Sequence, residues 1–243
     1  MSADAPPTPA VITEDQIRDL VTEADALASA RAAFSAMATE GAVQQPPPMG
    51  YALPEDDVEI HVKGAALAGH SAMAVKMANG GYKNRERGLG PAGSGLVIVV
   101  DTKTGYPVAV LLENAYLTDM RTAAAGALAS MLLCVDKAEA GAEPTLAILG
   151  AGVQARLHAR SVTSAMPGFF SSIVLWTRDA AKGTAAAESL QAELGEAIAV
   201  SSASTVEQAV RHPTTPAPAP SRFLPPLNVA ATLCARSREP PWS

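Results

Sequence analysis

Three groups of residues in this chain have the types and spacing that could do chemistry. The first is the run at residues 145–158, TLAILGAGVQARLH. Leu146, Ala147, Ile148 and Leu149 make a short apolar run of the kind that becomes a buried parallel strand. Gly150 suits a tight turn, Gly152 lets a phosphate approach the backbone, and Ala155 lets the next helix pack close to the strand. The start of that helix would aim free N–H groups at a pyrophosphate. A glycine turn can also simply end a strand. A strand precedes this one, a helix follows, and a second strand-like run, SIVLWT at 172–177, comes about twenty residues later. That context favours a dinucleotide site.

The second group is AVKMANGGY at 74–82. Lys76 stands mid-strand among apolar neighbours. A lysine pointing inward must meet an anion or have its pKa depressed; one pointing outward is an ordinary solvated lysine. Asn79, Gly80 and Gly81 read as a turn. The third group is LTDMRTAAAGALA at 117–129. Arg121 and Thr122 start a helix of otherwise small residues, which suits close packing. An arginine in a first turn opposes the helix dipole. It is therefore placed for a phosphate or carboxylate, held by a bidentate contact, or else for a surface ion pair with Asp119 or Glu113. The stretch GLGPAGSG at 88–95 reads as a loop able to pass close to a ligand.

The elements that must position these groups follow in order. Residues 1–10 read as a disordered leader. Thr13 caps a helix beginning at Glu14. A second helix spans 22–39, with Leu27, Ala30, Phe34 and Met37 at helical spacing, and QPPPMG at 45–50 stops it. Four strands are expected at 58–67, 72–78, 96–101 and 107–113. A hairpin turn at Thr104-Gly105 joins the last two. They lie too close together for helical crossovers, so they are mostly antiparallel. A helix spans 118–134. From Thr145, strand, helix (153–165), strand (172–177), helix (180–194), strand (197–201) and short helix (205–211) form half of a doubly wound unit.

The fold class is therefore α/β: a Rossmann-type parallel sheet, truncated, plus an N-terminal α+β domain with an antiparallel sheet. The expected divisions are 1–10, 11–134, 143–211 and a Pro-rich irregular tail at 212–243. That tail has no period of 2 or 3.6. A reading frame that has left the gene's own sequence explains the abrupt change better than a natural disordered tail. Either origin leaves a sheet edge uncovered.

The formal net charge is −6 with no basic run, which argues against nucleic acid or an anionic membrane as partner. No apolar stretch approaches the ~20 residues of a transmembrane helix, and the N-terminus lacks a secretion signal, so a cytoplasmic location is expected. Cys134 and Cys234 are too few for a disulfide framework or a zinc site. They read as buried or incidental thiols. His61, His70 and His158 have no metal-ligand spacing, and no metal is expected.

AVKMANGGYKN, then DTKTGYPVAVLLENAYLTDMRTAAAGALA, then LAILGAGVQA, in this order and spacing, resemble the ornithine cyclodeaminase/μ-crystallin family over residues 11–211. The PPPMG and HVKGA segments are most similar to its ectoine-utilisation cyclodeaminase-like subgroup. The resemblance implies an NAD(P)-dependent enzyme acting by hydride transfer on an amino acid or cyclic imine. Its alternatives are a ketimine or pyrroline-2-carboxylate reductase, and a non-catalytic NADPH- and ligand-binding protein or inactive product. Lys76 matches the lysine that holds the substrate carboxylate beside the reacting carbon. Arg121, with Thr122, matches the residues reaching cofactor phosphate and the substrate region. Gly150, Gly152, Val153 and Gln154 match the dinucleotide-binding turn.

At the end of the second strand, where ornithine-type members carry an acid, this chain has Thr177 and Arg178. That favours NADP(H), while Asp179 leaves NAD(H) possible. A homodimer built on the antiparallel sheet is also implied. Two departures stand out. The arginine expected after the proline turn is replaced by Pro46-Pro47-Pro48-Met49, with Lys63 on the next strand as the candidate replacement charge. The family's catalytic aspartate, beyond the third Rossmann strand, has no counterpart.

Overall fold

The computed structural model describes residues 6–134, 144–210 and 231–232. The chain divides into two compact units, 1–121 and 122–243. The division falls inside helix α3 (Tyr116–Cys134), not after it, because the small-residue half of that helix packs within the second unit, as described below.

The first unit is a seven-stranded sheet: β1 (Ala10–Thr13), β2 (Val43–Gln44), β3 (Met49–Leu53), β4 (Val58–Leu67), β5 (Ala72–Gly81), β6 (Gly93–Asp101) and β7 (Pro107–Leu112). Its order is β1-β7-β6-β5-β4-β2, with β3 also on β4. Strands β4 to β7 pair antiparallel, at the places their apolar runs predict. The Thr104-Gly105 turn is fixed by the Asp101 carboxylate, which accepts from Thr104 N at 2.8 Å and Thr104 Oγ1 at 2.7 Å. Gly105 there takes a φ of 74°, a region open to glycine.

Five local expectations change. Ala10 is not leader but the start of β1, which lies parallel to β7. QPPPMG does more than stop a helix, since Met49 and Gly50 begin β3. Asn79-Gly80-Gly81 continue β5, and Gly93-Ser94-Gly95 belong to β6. Cross-strand pairing holds these glycine-containing segments extended in spite of weak β propensity. Helix α3 begins two residues before Thr118.

Helices α1 (Glu14–Leu20) and α2 (Glu23–Met37) follow two capping signals. Thr13 N donates to Gln16 Oε1 at 2.9 Å. Thr22 Oγ1 accepts from Asp25 N at 3.2 Å, and Thr22 N donates to Asp25 Oδ2 at 3.0 Å, a reciprocal capping box. α1 is tied to the β7–α3 corner: Asn114 Nδ2 donates to Glu14 Oε2 at 3.1 Å, and the Arg18 guanidinium lies 3.9 Å from the Tyr116 ring centre. The helical stripe on α2 is not buried; Phe34 and Met37 are exposed.

The second unit carries a parallel sheet of β8 (Thr145–Leu149), β9 (Ser172–Trp176), β10 (Ala199–Ser202) and β11 (Ala231–Thr232), in the order β10-β9-β8-β11. Helices α4 (Val153–Ala165), α5 (Ala180–Leu194) and α6 (Val206–Val210) connect the first three strands and follow the third, as the sequence predicts. β11 corrects the reading of the tail as wholly irregular: it pairs with Ile148 and Leu149 of β8. Its two residues are too few to leave a periodic signal. The rest of the tail, with Arg211 and Cys234, lies outside the described residues. Leu146, Ile148, Ile173 and Leu175 are almost inaccessible and form the centre of this unit, as expected for a parallel sheet covered by helices.

Within this unit Gly126 of α3 meets His158 of α4. A Cβ on Gly126 would sit 2.6 Å from His158 Nε2. The His158 ring is buried, and its Nδ1 lies 2.9 Å from the Gln154 carbonyl. A carbonyl only accepts, so Nδ1 carries the proton. His158 is thus a packing residue with its polar edge satisfied.

Candidate functional site

Each unit positions one group of candidate residues. In the first, the β4–β5 register places Lys63 directly opposite Lys76, with Val97 of β6 on the other side. Directly opposed residues share a face of the sheet, so Lys63 and Lys76 rise together. Lys76 is half-buried, and its Nζ donates to Thr118 Oγ1 at 3.3 Å. Thr118 in turn donates to Glu113 twice: from its backbone N to Oε2 and from Oγ1 to Oε1, each at 3.1 Å. Glu113 is completely buried.

This array was not legible in the sequence reading, which gave Glu113 only a possible ion pair with Arg121. The local reason for it is a pair of left-handed residues. Asn114 and Ala115 have φ of 48° and 72°. They fold the chain back so that Glu113, rather than a residue at the helix start, satisfies a first-turn N–H of α3. Ala115 has no side-chain oxygen to do this, and the conformation costs an alanine roughly 1–2 kcal/mol. Room for the carboxylate comes from Gly95. A Cβ there would lie 2.6 Å from the Met77 carbonyl and 3.0 Å from Glu113 Oε1.

Burial holds the Lys76 ammonium below the usual lysine range. Arg121 pushes in the same direction, Glu113 opposes, Lys63 adds to the lowering, and Asp119 opposes weakly. An ammonium partly out of water and near two other cations is one that an incoming anion relieves. Arg121 is exposed on α3 and makes no ion pair with Asp119 or Glu113 among the described residues. Because α3 starts at Tyr116, Arg121 falls in the second turn, and the expected clash with the helix dipole does not arise. Asp119 is the charged residue of the first turn, the sign the dipole favours. Thr122 follows Arg121 on the helix.

The second group lies around the turn after β8. Gly150 has a φ of 135° and donates its N–H to the Trp176 carbonyl at 2.7 Å. A Cβ on Gly150 or Gly152 would meet nothing within 4 Å, so the space over the turn is open. Gly152 caps α4, Val153 and Gln154 begin it, and its first turn holds no acid. Open space over the start of a 13-residue helix with no competing carboxylate fits a dinucleotide pyrophosphate. After β9, Thr177 is half-buried and Arg178 exposed, with no ion-pair partner among the described residues. Asp179 is engaged locally: Oδ1 accepts from Lys182 N at 3.1 Å, and Oδ2 lies 3.7 Å from Lys182 Nζ. It therefore serves α5 as its cap.

Among the described residues no group of His, Cys, Asp and Glu could hold a metal ion, and no helix is long and apolar enough to cross a membrane. Cys134 is buried. His61 lies 3.6 Å from Glu59, and His70 is exposed.

Residues 8–214 match the model of the Ornithine cyclodeaminase/mu-crystallin family. An uncharacterised cyclodeaminase of Sinorhizobium fredii is 37% identical over 196 residues, covering 80% of this chain and 57% of that protein. The chain thus spans little more than half the length of the curated relatives it matches. In fold it is similar to the Δ1-pyrroline-2-carboxylate reductase of Thermococcus litoralis, solved with NADH and L-proline. The TM-score is 0.73 at 22% identity, covering 84% of this chain and 59% of that one. The iminosuccinate reductase of Paracoccus denitrificans, solved with NAD+, gives a TM-score of 0.68 at 23% identity, with 84% and 59% covered.

Proposed function

The chain belongs to the ornithine cyclodeaminase/mu-crystallin family, and from that premise we propose that it serves nicotinamide-dependent chemistry on an α-amino or α-imino acid, as an imine reductase or a cyclodeaminase. The half-buried, Thr118-anchored ammonium of Lys76 carries this reading. It is a preset partner for a substrate carboxylate, and a charge-assisted contact there fixes the reacting carbon. Glu113 and Thr118 hold the first turn of α3 and Lys76 Nζ in one connected array.

Gly150, Gly152, Val153 and Gln154 would hold the dinucleotide pyrophosphate, and the family resemblance gives Arg121 and Thr122 a part in cofactor binding. When bound, the nicotinamide supplies or accepts the hydride. Thr177 and Arg178 would read the ribose. With Asp179 committed to α5 and Arg178 exposed, the site disfavours no 2′-phosphate, and we infer a preference for NADP(H) over NAD(H).

Trp176 accepts from Gly150 and so reports on the turn by fluorescence. Titration is expected to show NADPH binding at least tenfold tighter than NADH. Arg178→Ala should bring the two cofactors level, a loss of about 1.5–3 kcal/mol for a charged phosphate contact. Absence of any response to either cofactor would overturn the reading of the glycine turn, and equal affinities in the unaltered chain would overturn the NADP(H) preference.

We further propose that the chain assembles as a homodimer through its first unit. Phe34 and Met37 of α2 and Met49, Tyr51 and Leu53 of β3 are large apolar side chains left about half exposed or more, which a second copy would cover. Sedimentation equilibrium should give twice the mass of one chain; the mass of one chain at micromolar concentration would refute the assembly.

A further inference from the structure

Resting on the function proposed above, we propose that Lys63 makes this site selective for a substrate with two carboxylates, a short amino or imino dicarboxylate. Lys76 takes the carboxylate next to the reacting carbon, and Lys63 takes the distal one.

The register carries the argument. Lys63 and Lys76 are directly opposed on β4 and β5, so their stems leave one face of the sheet about 5 Å apart. Two lysines whose stems rise side by side from one face can each meet one end of a short dicarboxylate chain. Lys76 is half-buried and Lys63 exposed, which orders the ligand. Its reacting end goes to the sheltered lysine and its far end to the accessible one.

The acidic groups that act on Lys76 are Glu113 and Asp119, two against the three cations Lys63, Lys76 and Arg121. Glu113 is buried and accepts from Thr118 at both oxygens. Glu59 lies on the face of Lys63, two alternate positions along β4, and accepts from Tyr82 Oη at 2.8 Å with His61 at 3.6 Å. Lys63 and Arg121 have no hydrogen-bond or ion-pair partner among the described residues. A monocarboxylate on Lys76 leaves the Lys63 charge uncompensated, whereas a dianion satisfies both. Selectivity then follows from the unpaired charge left by the wrong ligand.

The reaction this implies is balanced by the nicotinamide chemistry proposed above. When bound, a reduced nicotinamide would supply the hydride for the imine carbon, and solvent the proton for the imine nitrogen. The products are the amino dicarboxylate and the oxidised nicotinamide.

The test uses the full chain at fixed ionic strength, since charge pairing is screened by salt. Succinate and propionate, which cannot react, are titrated calorimetrically. Succinate is expected to bind at least tenfold more tightly. Lys63→Met should reduce that ratio to near one, and Lys63→Arg should keep it. Equal affinities in the unaltered chain, or a preference surviving Lys63→Met, would overturn the proposal. The imines formed from ammonia with oxaloacetate and with pyruvate then separate it from its premise. Preferential reduction of the oxaloacetate imine supports both. Reduction of the pyruvate imine at least as well leaves the enzyme reading standing and removes the dicarboxylate. No reduction of either, with no cofactor binding, removes both.

Discussion

Replacing Lys76 by methionine should lower kcat/KM for an α-imino acid by about three orders of magnitude, roughly 4 kcal/mol of transition-state stabilisation, without lowering the stability of the fold. The substrate carboxylate would lose its charged partner in a half-buried place, while methionine fills much the same volume. The stability half of this result has a sign that pH can check. Burial, with Arg121 beside it, holds the folded-state pKa of Lys76 below the usual lysine value of 10.5. Between the lowered value and 10.5 the unfolded chain therefore holds more protons, and the stability of the unaltered chain rises with pH across that window. Below the window the buried charge is a constant burden that methionine lacks. The variant's advantage in thermal midpoint should be greatest below the window and vanish as pH rises through it. An active Lys76→Met enzyme would sink the assignment. A midpoint that falls equally at all pH values would show that Lys76 acts in the fold and not in binding.

Glu113→Ala should be the most damaging single change to the first unit, costing about 3–4 kcal/mol. It removes a fully buried carboxylate that accepts twice from Thr118. The N–H and hydroxyl of Thr118 are left without that acceptor, at about 1–3 kcal/mol for a buried unsatisfied group, and a cavity opens beside Gly95. Glu113→Gln keeps the volume and one acceptor but turns an N–H₂ toward donors. It should cost about half as much and still disturb Lys76, seen as a raised KM. Urea unfolding followed by far-UV circular dichroism reads the stability. If the alanine variant unfolds at the same urea concentration as the unaltered chain, the account of the α3 start fails.

The contrast between what could and could not be read from residue order has physical causes. β4 to β7 were legible because their apolar runs are bounded by Gly, Pro and Asp turns, and β8, α4, β9 and α5 because each run has the length and period of its element. β3 was not, since all five of its residues are exposed and its extension comes from pairing with β4. β1 was not, because its partner lies far along the chain. The glycine turn and Lys76 were visible as types in a setting. Glu113 was not, because a single buried acid has no period, and only the two left-handed residues after it bring it under α3. The Lys63–Lys76 pairing follows from the short connection at 68–71 between β4 and β5. That connection fixes the register, but residue types alone do not reveal it.

The parallel pairing of β1 with β7 sets an order of events at the ribosome. Ala10 pairs with Ala109, a separation of about a hundred residues, so its closure entropy is among the largest in the unit. The β4–β5–β6–β7 meander can form from neighbours as it is synthesised, while residues 10–13 wait for the last strand of the sheet. Until β7 leaves the exit tunnel its outer edge does not exist, and once it does, the emerging chain must recruit its own residues 10–13 before those of another copy bind there. Non-local closure of this kind is slow relative to the hairpins that precede it. The step at which the first unit becomes complete is therefore the return of residues 10–13, not the formation of the strands that carry Lys63 and Lys76.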